Sequence, residues 1–545
     1  MDSSNLPLLA VILIPTTVIG WLTYSLKDVG KRESYLPPGP PTAPLLGNLG
    51  IFPKEFAHYK FTEWAREHGE IYSLKVGPAT AVVLSSAPAV RELMERRSAT
   101  TSDRPPNHMV NVITDCKNLV LARYSDYWRS MRRGAHEILT IEACKQHLPI
   151  QQAEATQLMH DLLTRPKDFY TSVRRYSSSV IMSVLYGRRS PRFDTPETKA
   201  FFHVQHLWEH ALEPGAHPPV DLLPILQKFP AFLAPWKKLC AEVRRLQRSL
   251  YFTLLSEVEK RTERGEANGC WMETVCARAE EWGLDRELVG YLGGSLIEGG
   301  SDTTSSYIQS LILALVANPE VQKKAHEEID RVIGTERAPV LEDFESLPYC
   351  NAIVNEVHRW RPLAPLAIPH SNTHDETYKG YLIPKDTTIF VNFWGISHDP
   401  NVYEDPSAFN PDRFMESEFG TKPEARVDDK DRKNTLAFGS GRRICPGIHL
   451  ATNSIRLNVM NLLWAFNFKK ALDSKTGKEI EPDTWDFAKG ILTCPNPFDC
   501  RIEPRSPHHA EIIEHNFQEA THVFEQFEHE LCKEDKDFVD ATRKH

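Results

Sequence analysis

Apolar residues recur at helical spacing through long stretches of this chain. The clearest are 240–263, 285–317 and 319–334, with Asn318-Pro319 marking a stop and restart. Shorter pieces at 71–76, 81–85, 377–383 and 388–392 read as strands. No segment repeats. The body from about 50 to 505 is therefore predicted to be mainly α with small β-sheets. Three flanking segments read differently. Residues 6–26, LPLLAVILIPTTVIGWLTYSL, carry no charge, and about 20 apolar residues span a bilayer. Pro7 and Pro15 weaken the run but are tolerated in spanning helices. Asp2 precedes it and Lys27, Lys31 and Arg32 follow, which predicts that the remainder faces the cytosol. A cleaved signal peptide would carry its basic residues first and end in a small-residue cleavage site. Residues 1–33 are thus expected to form a membrane anchor with one transmembrane helix. The proline-rich YLPPGPPTAPLLGN at 35–48 is expected to act as a stiff spacer. Beyond Pro507, Ile513, Phe517, Ala520, Phe524, Phe527 and Leu531 recur at alternating spacings of 4 and 3. That pattern predicts an amphipathic helix with one narrow apolar seam. Residues 506–545 are expected to be an acidic extension whose seam docks on the body or on a partner.

Charge and cysteine content narrow the picture. The chain of 545 residues has a net charge of −9, and residues 506–545, with ten acidic and four basic side chains, account for most of it. The remainder is near balance, so nothing points to nucleic acid. The 10 cysteines are scattered, and no Asn-x-Ser/Thr sequon occurs. Both features suit a body in a reducing cytosol.

The segment most suggestive of chemistry is FGSGRRICPG at 438–447. Glycines allow close backbone approach, and arginine beside cysteine favours the thiolate. Pro446 and the apolar-periodic run beginning at Leu450 place Cys445 at a helix N-terminus, which also favours an anion. Three roles are open to such a thiolate. A nucleophile needs a general base. Zinc needs three or four ligands; no CxxC occurs, and His449, which shares a helical face with Cys445, adds only one more. Haem iron needs one axial thiolate.

Phe438, Gly441, Arg443, Cys445 and Gly447 reproduce the F-x-x-G-x-R-x-C-x-G loop, and in this the chain resembles the cytochrome P450 family over about 34–505. The resemblance implies a cytochrome P450 fold, haem b (iron protoporphyrin IX) as cofactor, and Cys445 as the metal ligand. Phe438, Gly439, Arg443 and Gly447 would belong to the haem loop. GGSLIEGGSDTTSS at 293–306 matches the family's oxygen-side helix through Gly299, Gly300, Asp302 and Thr303. Thr303 and Asp302 would then be the catalytic proton-handling pair, although four glycines in such a stretch also suit close helix packing. Glu298, beside them, could meet a polar substrate group or face another helix or water. Glu356, Arg359 and Arg413, in NEVHRW and FNPDRF, match the family's structural triad. Trp128, Arg132 and His370 match positions that contact the haem propionates. Family segments imply a substrate lining of Met109, Val110 and Ile113; Leu292, Ser295, Leu296 and Gly299; Leu363, Ala367 and Ile368; Ile491 and Leu492.

The expected function is that of a haem-thiolate monooxygenase of the filamentous-fungal microsomal type. It would hydroxylate or epoxidise a lipophilic small molecule with O2, in secondary-metabolite biosynthesis. No flavin or nicotinamide domain is left over, so electrons would come from a separate NADPH-cytochrome P450 reductase. The expected location is the endoplasmic reticulum membrane, single-pass, with the catalytic domain in the cytosol. Alternatives are a phenylacetate-type aromatic-acid hydroxylase, a haem-thiolate isomerase or dehydratase, and a non-catalytic haem carrier or sensor.

Overall fold

A computed structural model describes residues 24, 27–213, 217–425 and 432–543. Apart from Tyr24, the predicted anchor segment 6–26 lies outside the described residues. Among the described residues, no helix is long and apolar enough to cross a membrane.

The helices that position the site are α1 (Asp126–Ile138), α2 (Leu148–Thr164), α3 (Phe169–Tyr186), α4 (Pro196–Leu212), α5 (Pro235–Glu263), α6 (Arg286–Ala317), α7 (Pro348–Trp360), α8 (Ile448–Ala465) and α9 (Pro507–Glu519). The strands are β1 (Ile71–Val76), β2 (Ala79–Leu84), β3 (His370–Ser371), β4 (Glu376–Tyr378), β5 (Tyr381–Ile383), β6 (Thr388–Val391), β7 (Phe466–Leu472), β8 (Glu479–Ile480) and β9 (Cys500–Pro504). A four-stranded sheet has the order β1-β2-β6-β3, with β2 and β6 parallel and its other pairs antiparallel. A β4-β5 hairpin and a β8-β7-β9 sheet complete the β structure.

Helix α6 runs through the middle of the molecule. At about 1.5 Å per residue it is roughly 48 Å long. Asp285 caps its start by accepting from the Leu288 N–H at 2.8 Å, and Pro319 follows the Asn318 stop. Its buried residues cover nearly all faces, as expected of a helix enclosed by others. Its glycines explain how neighbours come so close. A Cβ on Gly300 would fall 2.5 Å from Ile181 of α3, one on Gly293 2.3 Å from the Tyr186 hydroxyl, and one on Gly294 2.4 Å from Tyr251 of α5. Gly299 alone of the four predicted glycines has nothing within 4 Å of such a Cβ. Three of these glycines therefore serve packing, and one opens onto space.

Three local expectations are corrected. The 377–383 strand is a hairpin: Lys379 and Gly380 have φ of +48° and +86°, which turns the chain between Tyr378 and Tyr381. The proline-rich segment is no free spacer. Its carbonyls, in a stretch poor in N–H groups, accept from Arg32 (Gly39 O 2.9 Å, Pro40 O 2.7 Å), Ser73 (Pro37 O 2.6 Å) and Asn48 (Pro41 O 2.9 Å), and this pins it to β1.

The tail is also not one helix. After α9 come short turns at 521–527 and a separate helix, Lys533–Arg543. The break has an electrostatic reason. Glu528 pairs with Arg189 at 2.7 Å and Glu530 with Arg261 at 3.1 Å. Residues two apart point to different sides of a straight helix, so both contacts require the chain to turn. The apolar seam still buries completely. Ile513, Phe517, Phe524 and Phe527 join the main core, and the Arg189 guanidinium lies 3.6 Å over the Phe524 ring. Truncating Phe524 to Ala is expected to cost about 3–5 kcal/mol, read from the urea-unfolding midpoint. His515→Ala, on the exposed face, should stay within about 0.5 kcal/mol.

Candidate active site

The Phe438–Gly447 loop leads into α8, whose first turn begins after Gly447. The Cys445 N–H donates to Phe438 O at 2.8 Å and closes the loop. Gly441, at φ +62°, passes so close to the Met94 carbonyl that a Cβ would fall 2.1 Å from it. Burial pushes the Cys445 thiol up, while the Gly447 N–H and Arg132 favour its anion. The cation near the sulfur is therefore on α1 rather than in the loop. Arg132 Nη2 donates to Ile444 O at 2.5 Å. Arg442 and Arg443 point elsewhere, Arg442 to the Tyr124 hydroxyl at 2.8 Å and Arg443 to Ser102 O and Ala122 O, each at 2.8 Å.

A cavity of about 530 Å³ lies between this loop and α6. Cys445, Phe438, Gly439, Arg443 and Gly447 line it from the loop, and Ser295, Leu296, Gly299 and Thr303 from α6. Leu363, Ala367, Ile368 and His370 form one side, and Ile491 and Leu492 another. Trp128 and Arg132 enter from α1. Thr303 donates its hydroxyl hydrogen to Gly299 O at 2.6 Å, which leaves its oxygen able to accept.

Five expected residues lie elsewhere. Met109, Val110 and Ile113 pack into a separate core with Trp208 and Trp236, helping to tie α4 and α5 together. Leu292 sits in the core, packed over Gly134 of α1. Asp302 is absent from the lining. Burial lifts its carboxyl, and Arg174 of α3 pulls it back down. Sequence pattern missed Arg104, His358 and Ile181, all on the cavity wall. Arg104 and Ile181 belong to no motif, and His358 sits between Glu356 and Arg359 at a position the motif leaves unspecified; only the three-dimensional packing brings them there.

Arg104, Arg132, Arg443 and His370 share one wall, and burial depresses the pKa of each. Arg443 falls to about 10 and His370 well below its usual value. Arg443 Nη1 is buried without a partner. Buried positive charge with an orphaned donor calls for an anion. His370 Nδ1 is held by Thr101 O at 3.0 Å. Trp128 contributes no free donor, because its Nε1–H already serves Leu119 O at 3.0 Å; its ring instead lies 3.8 Å under the Arg443 guanidinium. A thiol below and an under-compensated cationic wall beside it fit a flat metal macrocycle with carboxylate arms.

Behind the loop, α7 carries Glu356, whose carboxylate is fully buried. It accepts from Arg359 at 2.7 and 2.8 Å, from the Asn410 N–H at 2.7 Å and from Arg413 at 3.3 Å. Arg359 continues to the carbonyls of Ser397, Pro406 and Ala408. Two residues on from Glu356, His358 meets the Phe438 ring at 5.4 Å. The triad thus forms one buried cluster, joined to the cysteine loop through α7.

Residues 37–500 match the family model for cytochrome P450. The chain belongs to the cytochrome P450 family. It is accordingly an enzyme, an oxidoreductase of the monooxygenase type, and the family implies a haem-thiolate cofactor. Among its relatives is a cytochrome P450 monooxygenase of Armillaria gallica, 48% identical over 511 residues, covering 94% of this chain and 97% of the relative. One from Arthrobotrys oligospora is 39% identical, covering 96% and 99%. The cytochrome P450 monooxygenase yanC of Aspergillus niger is 40% identical, covering 90% and 93%. The residues that would hold such a cofactor are Cys445, through its thiolate, and the cationic wall of Arg132, Arg443 and Arg104 with His370 beside them.

Proposed function

We propose that this P450 binds haem b and hydroxylates or epoxidises a lipophilic small molecule with O2, in fungal secondary metabolism. Electrons come from NADPH-cytochrome P450 reductase, and the body sits on the cytosolic face of the endoplasmic reticulum membrane. The observation that carries this reading is Cys445 and Thr303 lining one largely apolar cavity from its two sides. Bound haem supplies the iron that activates dioxygen.

The chain's own residues do the rest. Cys445 donates a thiolate whose charge the Gly447 N–H helps disperse. The Thr303 hydroxyl, fixed by Gly299 O, holds and passes protons at its oxygen. Asp302, adjacent to Thr303 in the chain, is the second member of the relay, its carboxyl lifted by burial and pulled back by Arg174. Leu296, Leu363, Ile368 and Leu492 exclude water and orient an apolar substrate. Membrane association is supported by the apolar run 6–26 and by exposed Leu223, Ile225, Phe229, Phe232 and Leu233. The Thr303 hydroxyl favours an oxygenase over a haem-thiolate isomerase.

The test reconstitutes the full chain with reductase, NADPH and ¹⁸O-labelled dioxygen, and screens lipophilic compounds that shift the haem spectrum. The expected product carries one ¹⁸O atom. Turnover without label, in an enzyme with a normal thiolate-type spectrum, would refute oxygenation.

A further inference from the structure

Glu298 precedes Gly299 on α6 and lines the same cavity. Its partners come from three directions. Tyr251 Oη donates to Oε1 at 2.5 Å and Gln247 Nε2 donates to Oε1 at 3.2 Å, both from α5. Asn118 Nδ2 donates to Oε2 at 3.0 Å from the segment before α1. The orientation of the Asn118 amide is fixed independently. Its Oδ1 accepts from the N–H groups of Val120 and Leu121, each at 3.0 Å, so its nitrogen must face Glu298.

These three hydrogen-bonding partners are neutral. A carboxylate has about four acceptor sites. Two are filled at Oε1 and one at Oε2, so one site on Oε2 remains. Burial pushes the Glu298 carboxyl up to about 7, and the donors from Tyr251 and Asn118 oppose the shift. A carboxyl held rigidly by three donors, at the wall of a cavity that leucine and isoleucine also line and with Glu209 of α4 as a second carboxyl there, is the kind of firmly placed polar group that fixes a ligand's orientation.

We infer that Glu298 anchors the substrate, its free Oε2 site accepting a hydrogen bond from a neutral hydroxyl on an otherwise lipophilic molecule. A hydroxyl suits the site better than an ammonium group. Three protein donors already stabilise the carboxylate, and an uncharged group loses less hydration on entering an apolar cavity. Thr303 lies five residues further along α6, about 7.5 Å by helix rise. The anchored hydroxyl therefore sits several carbon atoms from the carbon that is oxidised, and it selects which carbon that is.

This inference rests on the P450 monooxygenase reading, and its test separates the two. Holoenzyme is titrated with a matched pair, 4-butylcyclohexanol and its methyl ether, and the dissociation constants are read from the ferric spin-state change. The wild type should bind the alcohol at least about 10-fold more tightly. Glu298→Leu should bring the ratio near one, and Glu298→Gln, which keeps an acceptor and the shape, should fall between. If Glu298→Leu fails to take up haem, the Gln variant alone decides, with at least a threefold fall in the ratio expected. A ratio unchanged in a variant with a normal reduced carbon monoxide spectrum overturns the anchor and leaves the monooxygenase reading standing. A wild type without the thiolate-type band overturns that reading itself.

Discussion

Cys445→Ser is expected to abolish the long-wavelength Soret band of the reduced carbon monoxide complex and to bring substrate oxidation below detection. The substitution is nearly isosteric. The backbone bond from residue 445 to Phe438 O survives, and so should the loop and the circular dichroism spectrum. What disappears is the soft anion. A serine hydroxyl ionises far less readily than a thiol, and neither the Gly447 N–H nor Arg132, the two groups that favour an anion here, can make up the difference. The cofactor would lose the thiolate that Cys445 supplies, and with it the electron donation that a haem-thiolate oxygenase needs. A variant that kept the band would overturn the assignment of Cys445.

Glu356→Ala should act on the scaffold with comparable severity. Removing one member of a buried ion cluster costs about 3–5 kcal/mol, because its partners remain buried without compensation. Here two arginines and the Asn410 N–H lose their shared acceptor. The damage reaches the cysteine loop through α7, where His358 abuts Phe438. The expected result is purified protein with little or no haem, measured as haem per chain, and faster proteolysis of the segment 397–413. Glu356→Gln should fall between, since it retains one acceptor oxygen. Full haem content in the alanine variant would show that the cluster does not support the loop.

Which features were legible in the sequence follows from what periodicity records. It reports the alternation of apolar positions along a chain, so α6 is predicted at 285–317 and observed at Arg286–Ala317. It does not report what a face meets. Gly300 and Gly299 are adjacent and identical in sequence, yet one is pressed against Ile181 and the other opens to the cavity. Met109 and Leu296 are both apolar and both expected in the lining, but Met109 is consumed by packing against the Trp208 cluster. Motifs located Cys445, Thr303 and the Glu356–Arg359 pair because those groups sit at fixed spacings in one loop or helix, and Arg413 because it lies in a short motif of its own. Arg104 and the donors around Glu298 come from distant segments, and no local pattern marks them.

The docked tail has a consequence for the order of events during synthesis. Arg189 is buried between Glu154, at 2.9 Å, and Glu528, at 2.7 Å, under the ring of Phe524. Until residues 524–530 have left the ribosome, Arg189 has Glu154 but not Glu528, Arg261 has Glu273 but not Glu530, and the part of α2 that meets Phe517 lies bare. Helix α3, whose Ile181 packs against Gly300 of α6 beside the cavity, shares this incomplete core. The nascent chain therefore cannot finish its interior from the N-terminal end forward. Closure waits for residues 513–530, whose apolar seam completes the core that α2 and α3 share.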